Sequence, residues 1–206
     1  MYIELIDLLR CPRQHPDSWL VAAFNKMDGR FVVEGKLGCP VCSASYKIRD
    51  GIADLSEAPY EITQVCGGLD YPDEEAAMRA AALLGLTKPN ALVVLAGDAA
   101  SLARHVSDIA EARVIALNST TRIDESEKVA IVVTDTRLPF APSSIDGIKL
   151  DESTASFAGD ASRVLRHGGR LIAPRGTTLP ATFRELAKDE KEIVAESIGE
   201  LITLSR

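Results

Sequence analysis

Short apolar runs bounded by turn formers recur through the last two thirds of the chain, and segments with helical spacing lie between them. Such a run predicts a buried strand, whereas apolar residues every three to four positions predict an amphipathic helix. The predicted strands span residues 92–96, 113–117, 128–134, 146–150 and 170–173, and the predicted helices span 74–84, 99–109, 153–166 and 179–188. A closing hairpin is predicted from 192–196 and 201–204. This alternation is typical of an α/β fold with a parallel, doubly wound sheet.

The first quarter of the chain has a different pattern. A short amphipathic helix is predicted over 3–9, followed by strands over 19–24 and 30–37 around a turn signal at Gly29, and then a short strand over 46–48. Turn-forming residues without periodicity follow. We therefore predict two domains, 1–58 and 73–206, joined by a linker over 59–72. Asp73 is predicted to cap the first helix of the second domain.

Composition narrows the function classes. Hydrophobic residues make up 46% of the chain, which is enough for a sizeable core, and no apolar run is long enough to span a membrane. The N-terminus lacks the pattern of a signal peptide, so a cytoplasmic location is predicted. The formal net charge is −7 and no dense basic run is present, which argues against duplex nucleic acid as a partner. No membrane partner is expected either.

Three of the four cysteines have the spacing of a metal site. Cys39 and Cys42 form a C-P-V-C turn that presents two thiolates to one ion, and Cys11 precedes the hairpin as a third ligand. The fourth ligand is open: His15 is the best candidate, and the alternative is a surface histidine without a metal. Zinc is the metal that this ligand set favours, and the alternative is a set of small buried thiols. Cys66 lies outside the pattern and is interpreted as a buried or linker thiol.

The segments L-L-R-C-P, L-G-C-P-V-C and Y-K-I-R-D-G-I-A-D-L resemble the small zinc-ribbon activator subunit of tRNA and protein methyltransferases. The resemblance covers the first quarter of the chain. Ala53 stands where that family has proline, and His15-Pro16 replaces the second cysteine of the first half-site. The family's usual role is to cover apolar surface on a methyltransferase. The resemblance therefore implies a methyltransferase partner, and the alternative is a second copy of this chain.

A second resemblance covers residues 73–206. The segments T-D-T-R-L-P-F-A, S-I-D-G-I and A-S-R-V-L-R-H-G-G-R-L-I are similar to segments of class I S-adenosylmethionine-dependent methyltransferases of the type 11 group. The resemblance implies a Rossmann-like methyltransferase sheet. The small N-terminal domain would then be a zinc ribbon attached to that sheet.

The junction A-L-V-V-L-A-G-D-A-A-S joins the first strand of this sheet to its helix, where a nucleotide-like ligand lies in such folds. The family reads V-L-D-x-G-x-G-x-G here, but this chain keeps at most one of those glycines in either alignment. The resemblance places the cofactor against Gly97 and Asp98, and the alternative for Asp98 is a cap of the following helix. It also places Asn118 at the ribose, where the family has an acidic residue, and Asp135 at the adenine, with Thr136 beside it.

The segments that match the family are those that specify its fold, whereas the segments that differ from it are those that hold the cofactor in the family. We therefore predict a methyltransferase-like protein with weak or absent S-adenosylmethionine binding that acts as a binding or assembly module. The alternative is an active methyltransferase with a built-in activator-like ribbon and an unknown substrate. No catalytic constellation is visible; Asp151 and Glu152 are acidic candidates after the fourth strand, and the alternative is that both are merely solvated.

Overall fold

The computed structural model describes residues 1–57, 74–121, 123 and 128–199. The predicted linker, its neighbour Asp73, Cys66 and the predicted strand over 201–204 lie outside the described residues. Within the described residues, no helix is both long enough and apolar enough to cross a membrane.

The described residues contain eleven strands and three α-helices. The strands are β1 Val21–Asp28, β2 Phe31–Gly38, β3 Ser45–Arg49, β4 Ile52–Asp54, β5 Leu92–Ala96, β6 Arg113–Leu117, β7 Val129–Val133, β8 Ile145–Lys149, β9 Leu165–Pro174, β10 Phe183–Lys188 and β11 Glu192–Ser197. The helices are α1 Glu74–Leu84, α2 Ala103–Ala110 and α3 Ala158–Val164, with 3₁₀ turns at Ile3–Leu8, Gly97–Leu102 and Ala155–Phe157.

All eleven strands form one sheet, in the order β1-β2-β3-β4-β7-β6-β5-β8-β9-β11-β10. The five strands from β7 to β9 are parallel, and the chain reverses its direction of winding between β5 and β8. In such a sheet this switch point opens a crevice at the carboxyl ends of the strands. The predicted α/β class with a parallel, doubly wound sheet is confirmed for these five central strands, and the N-terminal hairpins form a small zinc-ribbon-like region at one end of the sheet.

The N-terminal hairpins continue the central sheet directly. Strand β4 pairs in parallel with β7, with Ala53 opposite Val132 and Asp54 opposite Val133. The backbone N–H of Leu55 extends this pairing by donating to the carbonyl of Val133 at 2.8 Å. The sheet hydrogen bonds are therefore continuous between the ribbon-like region and the central parallel strands.

Alternate residues of the central strands face two separate apolar layers. On one face, Val93 and Leu95 of β5 pack with α1 and α2. On the other face, Leu92 and Val94 belong to a layer that includes α3 and the N-terminal segment. Leu9 is fully buried there and forms an isolated bridge with Phe140 in the loop before β8. The N-terminal segment thus covers apolar surface of the sheet.

Most element predictions agree with the structure, and the exceptions lie near the C-terminus. The predicted strands over 92–96 and 113–117 match β5 and β6 residue for residue. The predicted helix over 179–188 is wrong, because its second half is strand β10, paired with β11. The predicted helix over 153–166 ends at Val164, and β9 begins at the next residue. The closing hairpin is β10–β11, so 192–196 is its second arm.

Candidate functional site

The predicted metal ligands are brought together. Cys11, His15, Cys39 and Cys42 each offer a ligand atom, and these atoms all lie within 4.8 Å of one another. The Cys11 and Cys42 sulfurs are 3.7 Å apart, and Nε2 of His15 is 3.4 Å from the Cys39 sulfur. A tetrahedral zinc with ordinary bond lengths separates two sulfurs by about 3.8 Å and a sulfur from a nitrogen by about 3.5 Å. The donor set and its spacing fit zinc.

Local hydrogen bonds hold the C-P-V-C turn in place. The backbone N–H of Cys39 donates to the carbonyl of Ala44 at 2.8 Å, and the N–H of Ser43 donates to the carbonyl of Cys39 at 3.0 Å. Ser43 has a φ of +58°, which lets the chain reverse immediately after Cys42. This reversal starts β3 and leaves both thiols of the turn on the side of Cys11.

The His15 ring is oriented by its neighbour. Its Nδ1 lies 2.7 Å from the carbonyl oxygen of Pro16, which can only accept a hydrogen bond, so Nδ1 carries the proton and donates. Nε2, the nitrogen that faces Cys39, is then left with its lone pair. Metal-ligating histidines are commonly held by such a second hydrogen bond. Among the two interpretations of His15, the geometry supports the ligand.

The cysteine environments differ in their effect on ionisation. Burial raises the pKa of the Cys39 thiol, but the N–H groups of Cys42 and Val41 and the neighbouring thiols outweigh it and lower that pKa to about 6. For Cys11 burial is the largest effect, and its pKa is raised. The hydroxyl of Tyr46 lies 3.2 Å from the Cys11 sulfur, and burial followed by this contact raises the pKa of Tyr46.

The predicted cofactor residues all follow the carboxyl ends of β5, β6 and β7, at the same edge of the sheet.

The turn after β5 is closed by a side chain from the loop after β8. Gly97 has a φ of +62°, and a Cβ built there would overlap the carboxylate of Asp151. The backbone N–H of Asp98 donates to Oδ2 of Asp151 at 2.8 Å. The Asp98 side chain in turn accepts a hydrogen bond from Thr120 Oγ1 at 2.8 Å.

Asp151 is fixed by its own loop as well. Its Oδ1 accepts hydrogen bonds from the Ser153 hydroxyl at 2.8 Å, the Thr154 N–H at 2.9 Å and the Thr154 hydroxyl at 2.6 Å. Burial raises the pKa of this carboxyl, but the hydrogen bonds from Thr154, Asp98 and Ser153 outweigh it, and the pKa lies below its usual value. An ionised carboxylate therefore sits against the Gly97 turn at neutral pH.

Asn118 is occupied by the backbone of the next strand. Its side-chain N–H donates to the carbonyl of Thr134 at 2.7 Å, and its Oδ1 accepts from the N–H of Thr134 at 2.9 Å. Asn118 itself has a φ of +49°, a left-handed conformation that asparagine tolerates better than most residues. The side chain that the resemblance placed at the ribose thus joins the ends of β6 and β7.

Asp135 and Thr136 contact the N-terminal region. The carboxylate of Asp135 accepts a hydrogen bond from the backbone N–H of Glu57 at 2.8 Å, and the Thr136 hydroxyl donates to the carbonyl of Pro12 at 3.3 Å. Pro12 directly follows the metal-cluster residue Cys11. Thr136 therefore links the loop after β7 to the segment that carries Cys11, and Asp135 links the same loop to the chain after β4.

The sequence does not predict the roles of two residues of this region. It indicates Asp151 only as an acidic candidate or a solvated residue, although D-E-S-T is a typical signal for a carboxylate that binds its own following backbone and hydroxyls. It indicates Tyr46 only as part of a strand. Its contact with Cys11 depends on the folding of β3 across the hairpin and has no local signal.

No protein-family model matches the sequence, and none of the curated proteins does. Solved structures with partial similarity include the MycE methyltransferase from the mycinamycin biosynthetic pathway in complex with Mg and SAH, at 12% identity and a TM-score of 0.46 over 66% of this chain and 52% of that one. Another is phosphoethanolamine N-methyltransferase 2 of Haemonchus contortus in complex with S-adenosyl-L-methionine, at 15% identity and a TM-score of 0.41 over 56% of this chain and 30% of that one. The chain thus spans about half the length of the first and less than a third of the second.

Proposed function

We propose that this protein is a methyltransferase-like pseudoenzyme: a zinc-stabilised assembly module whose cofactor crevice is closed by its own side chains. The observation that carries the proposal is the Asp151 carboxylate, which overlaps the place of a Cβ on Gly97 and binds the N–H of Asp98. In Rossmann-like sheets, backbone N–H groups at this turn and the open space above its glycine receive the ligand. Here both are taken by the chain itself.

The remaining cofactor-side groups support the same proposal. Asn118, Asp135 and Thr136 all have hydrogen-bond partners within the chain. A ligand at this place would have to break these bonds and compensate for their loss. Asn118 is half-buried, so losing its two bonds without replacement would oppose binding, whereas Asp135 and Thr136 are exposed and water can replace theirs.

Zinc would have a structural role in this proposal. Cys11, His15, Cys39 and Cys42 supply four protein ligands, which fill a tetrahedral coordination sphere and leave no position for a substrate or water. When bound, the ion would hold the turn before β3 against the segment after the N-terminal helix. Small domains with little core often depend on such an ion for their stability.

Titration calorimetry with S-adenosylmethionine and S-adenosylhomocysteine tests the proposal on the full chain. We expect no saturable heat with either compound, on protein whose zinc content and circular dichroism show that it is folded. Saturable binding at micromolar concentrations would instead support the active methyltransferase with a built-in ribbon. In that case Asp151 would have to move away from the Gly97 turn.

A further inference from the structure

Strand β1 is an outer strand of the described sheet and carries an unusual amount of exposed apolar surface. Val21, Phe24 and Met27 are 64, 40 and 40% exposed, and Trp19, just before the strand, is 66% exposed. Val21 lies opposite Gly38 and Phe24 opposite Gly35, so these two side chains lie on opposite faces of the hairpin. Both faces at this edge of the sheet are therefore apolar. Exposed large apolar side chains gathered along one edge of a sheet are typical of an interaction site.

The strand at the other end of the sheet differs. Strand β10 reads F-R-E-L-A-K, and its only large exposed apolar side chain is Leu186, at 41%. Three of its six residues are charged, whereas two of the eight residues of β1 are. Charged side chains on an outer strand prevent its unpaired backbone groups from pairing with another chain. The β10 edge has this protection along its length, whereas β1 has its charges only near its end, at Lys26 and Asp28.

The two halves of the β1 edge differ in charge. Exposed Lys36 of β2 lies opposite Ala23, beside the first half of β1. In the second half, exposed Asp28 and exposed Glu34, which lies opposite Lys26, outnumber that one lysine. An antiparallel pair of two β1 strands about a two-fold axis brings the first half of each strand towards the end of the other, so the Lys36 side of one copy lies at the more acidic end of the second copy.

We infer that β1 pairs with β1 of a second copy of this chain, which continues the sheet across a two-fold axis. An antiparallel pair of identical strands is self-complementary, as a closed dimer requires. Main-chain hydrogen bonds would supply affinity, and the apolar side chains on both faces would stack on those of the second copy. This inference rests on the proposed assembly role, for which it names the partner.

Sedimentation equilibrium of the purified full chain tests the inference. We expect a mass of twice 22.1 kDa, in reversible equilibrium with the monomer. Val21→Lys places a charge at the start of the apolar strand and should raise the dimer dissociation constant roughly tenfold or more. The control is Leu186→Lys, an exposed apolar position on the opposite outer strand, which should leave the dissociation constant unchanged.

A second pair of variants tests the same dimer by exchanging charges, so that the conclusion does not depend on Val21→Lys alone. Asp28→Lys should weaken the dimer, and Asp28→Lys combined with Lys36→Glu should recover most of the loss, because the charges are exchanged rather than removed. A monomer at every soluble concentration would overturn the inference, as would a dimer that Leu186→Lys dissociates and Val21→Lys does not. These outcomes are independent of the calorimetric titration, so a monomer that binds no S-adenosylmethionine overturns the dimer and leaves the pseudoenzyme proposal standing.

Discussion

The carboxylate of Asp151 accepts a hydrogen bond from the N–H of Asp98 at 2.8 Å, directly over Gly97. Asp98 follows β5 and Asp151 follows β8, the two strands between which the winding of the sheet reverses. The contact therefore closes the place where a Rossmann-like sheet usually opens to a ligand. Because the carboxylate occupies the space of a Cβ on Gly97, the effect of a substitution at Gly97 on stability should depend on the residue at position 151.

Gly97→Ala should be strongly destabilising, since the new methyl group would overlap the Asp151 carboxylate and alanine disfavours a φ of +62°. We expect a loss of about 2–4 kcal/mol in the free energy of unfolding, measured by urea denaturation. Gly29→Ala is the control, because Gly29 has a φ of +55° but nothing within 4 Å of the added Cβ. It should lose only about 1–2 kcal/mol. Equal losses would show that the Asp151 contact does not matter.

The two residues should be energetically coupled. With Asp151→Ala in place, Gly97→Ala no longer meets a carboxylate, so the double variant should be more stable than the sum of the single losses implies. We expect a coupling free energy of about 1–2 kcal/mol in a double-mutant cycle. Strict additivity in the cycle would contradict the contact.

The contribution of Asp151 should depend on pH. Its pKa in the folded protein lies below the ordinary value of 3.8, so its stabilising effect is present above that value and is lost as the pH falls through the lower folded pKa. The stability difference between the wild type and Asp151→Ala should therefore be constant near neutrality and shrink below about pH 4. Glu152→Ala, an exposed change in the same loop, is the control, and its free energy of unfolding at neutral pH should stay within about 0.5 kcal/mol of the wild type. A stability difference between the wild type and Asp151→Ala that grows as the pH falls would contradict this prediction.

The metal cluster predicts one zinc ion per chain. Cys39→Ser and His15→Ala each remove a ligand, and we expect both to lower the zinc content and the melting temperature. His167→Ala, a histidine outside the cluster, should keep the full zinc content. The measurement is elemental analysis of protein purified without chelator, followed by thermal unfolding with and without a chelator. Unchanged zinc in Cys39→Ser would refute the site.

The N-terminal segment and the central sheet should unfold together. Leu9 is fully buried against the loop that carries Phe140, so Leu9→Ala should cost about 2–5 kcal/mol. Because the sheet is continuous from β4 to β7, we expect this loss within a single transition followed by two spectroscopic probes. Leu186→Ala, at an exposed position, should cost less than about 0.5 kcal/mol. Two separate transitions, with only one shifted by Leu9→Ala, would indicate independent domains.

The candidate metal site could be recognised from local spacing, whereas the closure of the crevice could not. Cys39 and Cys42 are separated by two residues on one turn, so their sequence spacing alone places both thiols at one ion. Gly97 and Asp151 are far apart in the chain and meet only because β5 and β8 are neighbours in the sheet. A missing glycine pattern signals an altered loop, but it does not reveal which side chain fills the space.

The succession of central strands and helices along the chain and the α/β class follow from the sequence itself, because period and turn chemistry are properties of neighbouring residues. Segment 179–188 shows the limit of prediction from local sequence. Its last residues, Glu185, Leu186, Ala187 and Lys188, favour a helix locally, but they form a strand because they pair with β11. Only the tertiary structure determined that this segment is a strand, that β4 pairs in parallel with β7, and that the Asp151 carboxylate lies over Gly97. Each of these depends on hydrogen bonds and packing between residues that only the complete sheet brings together.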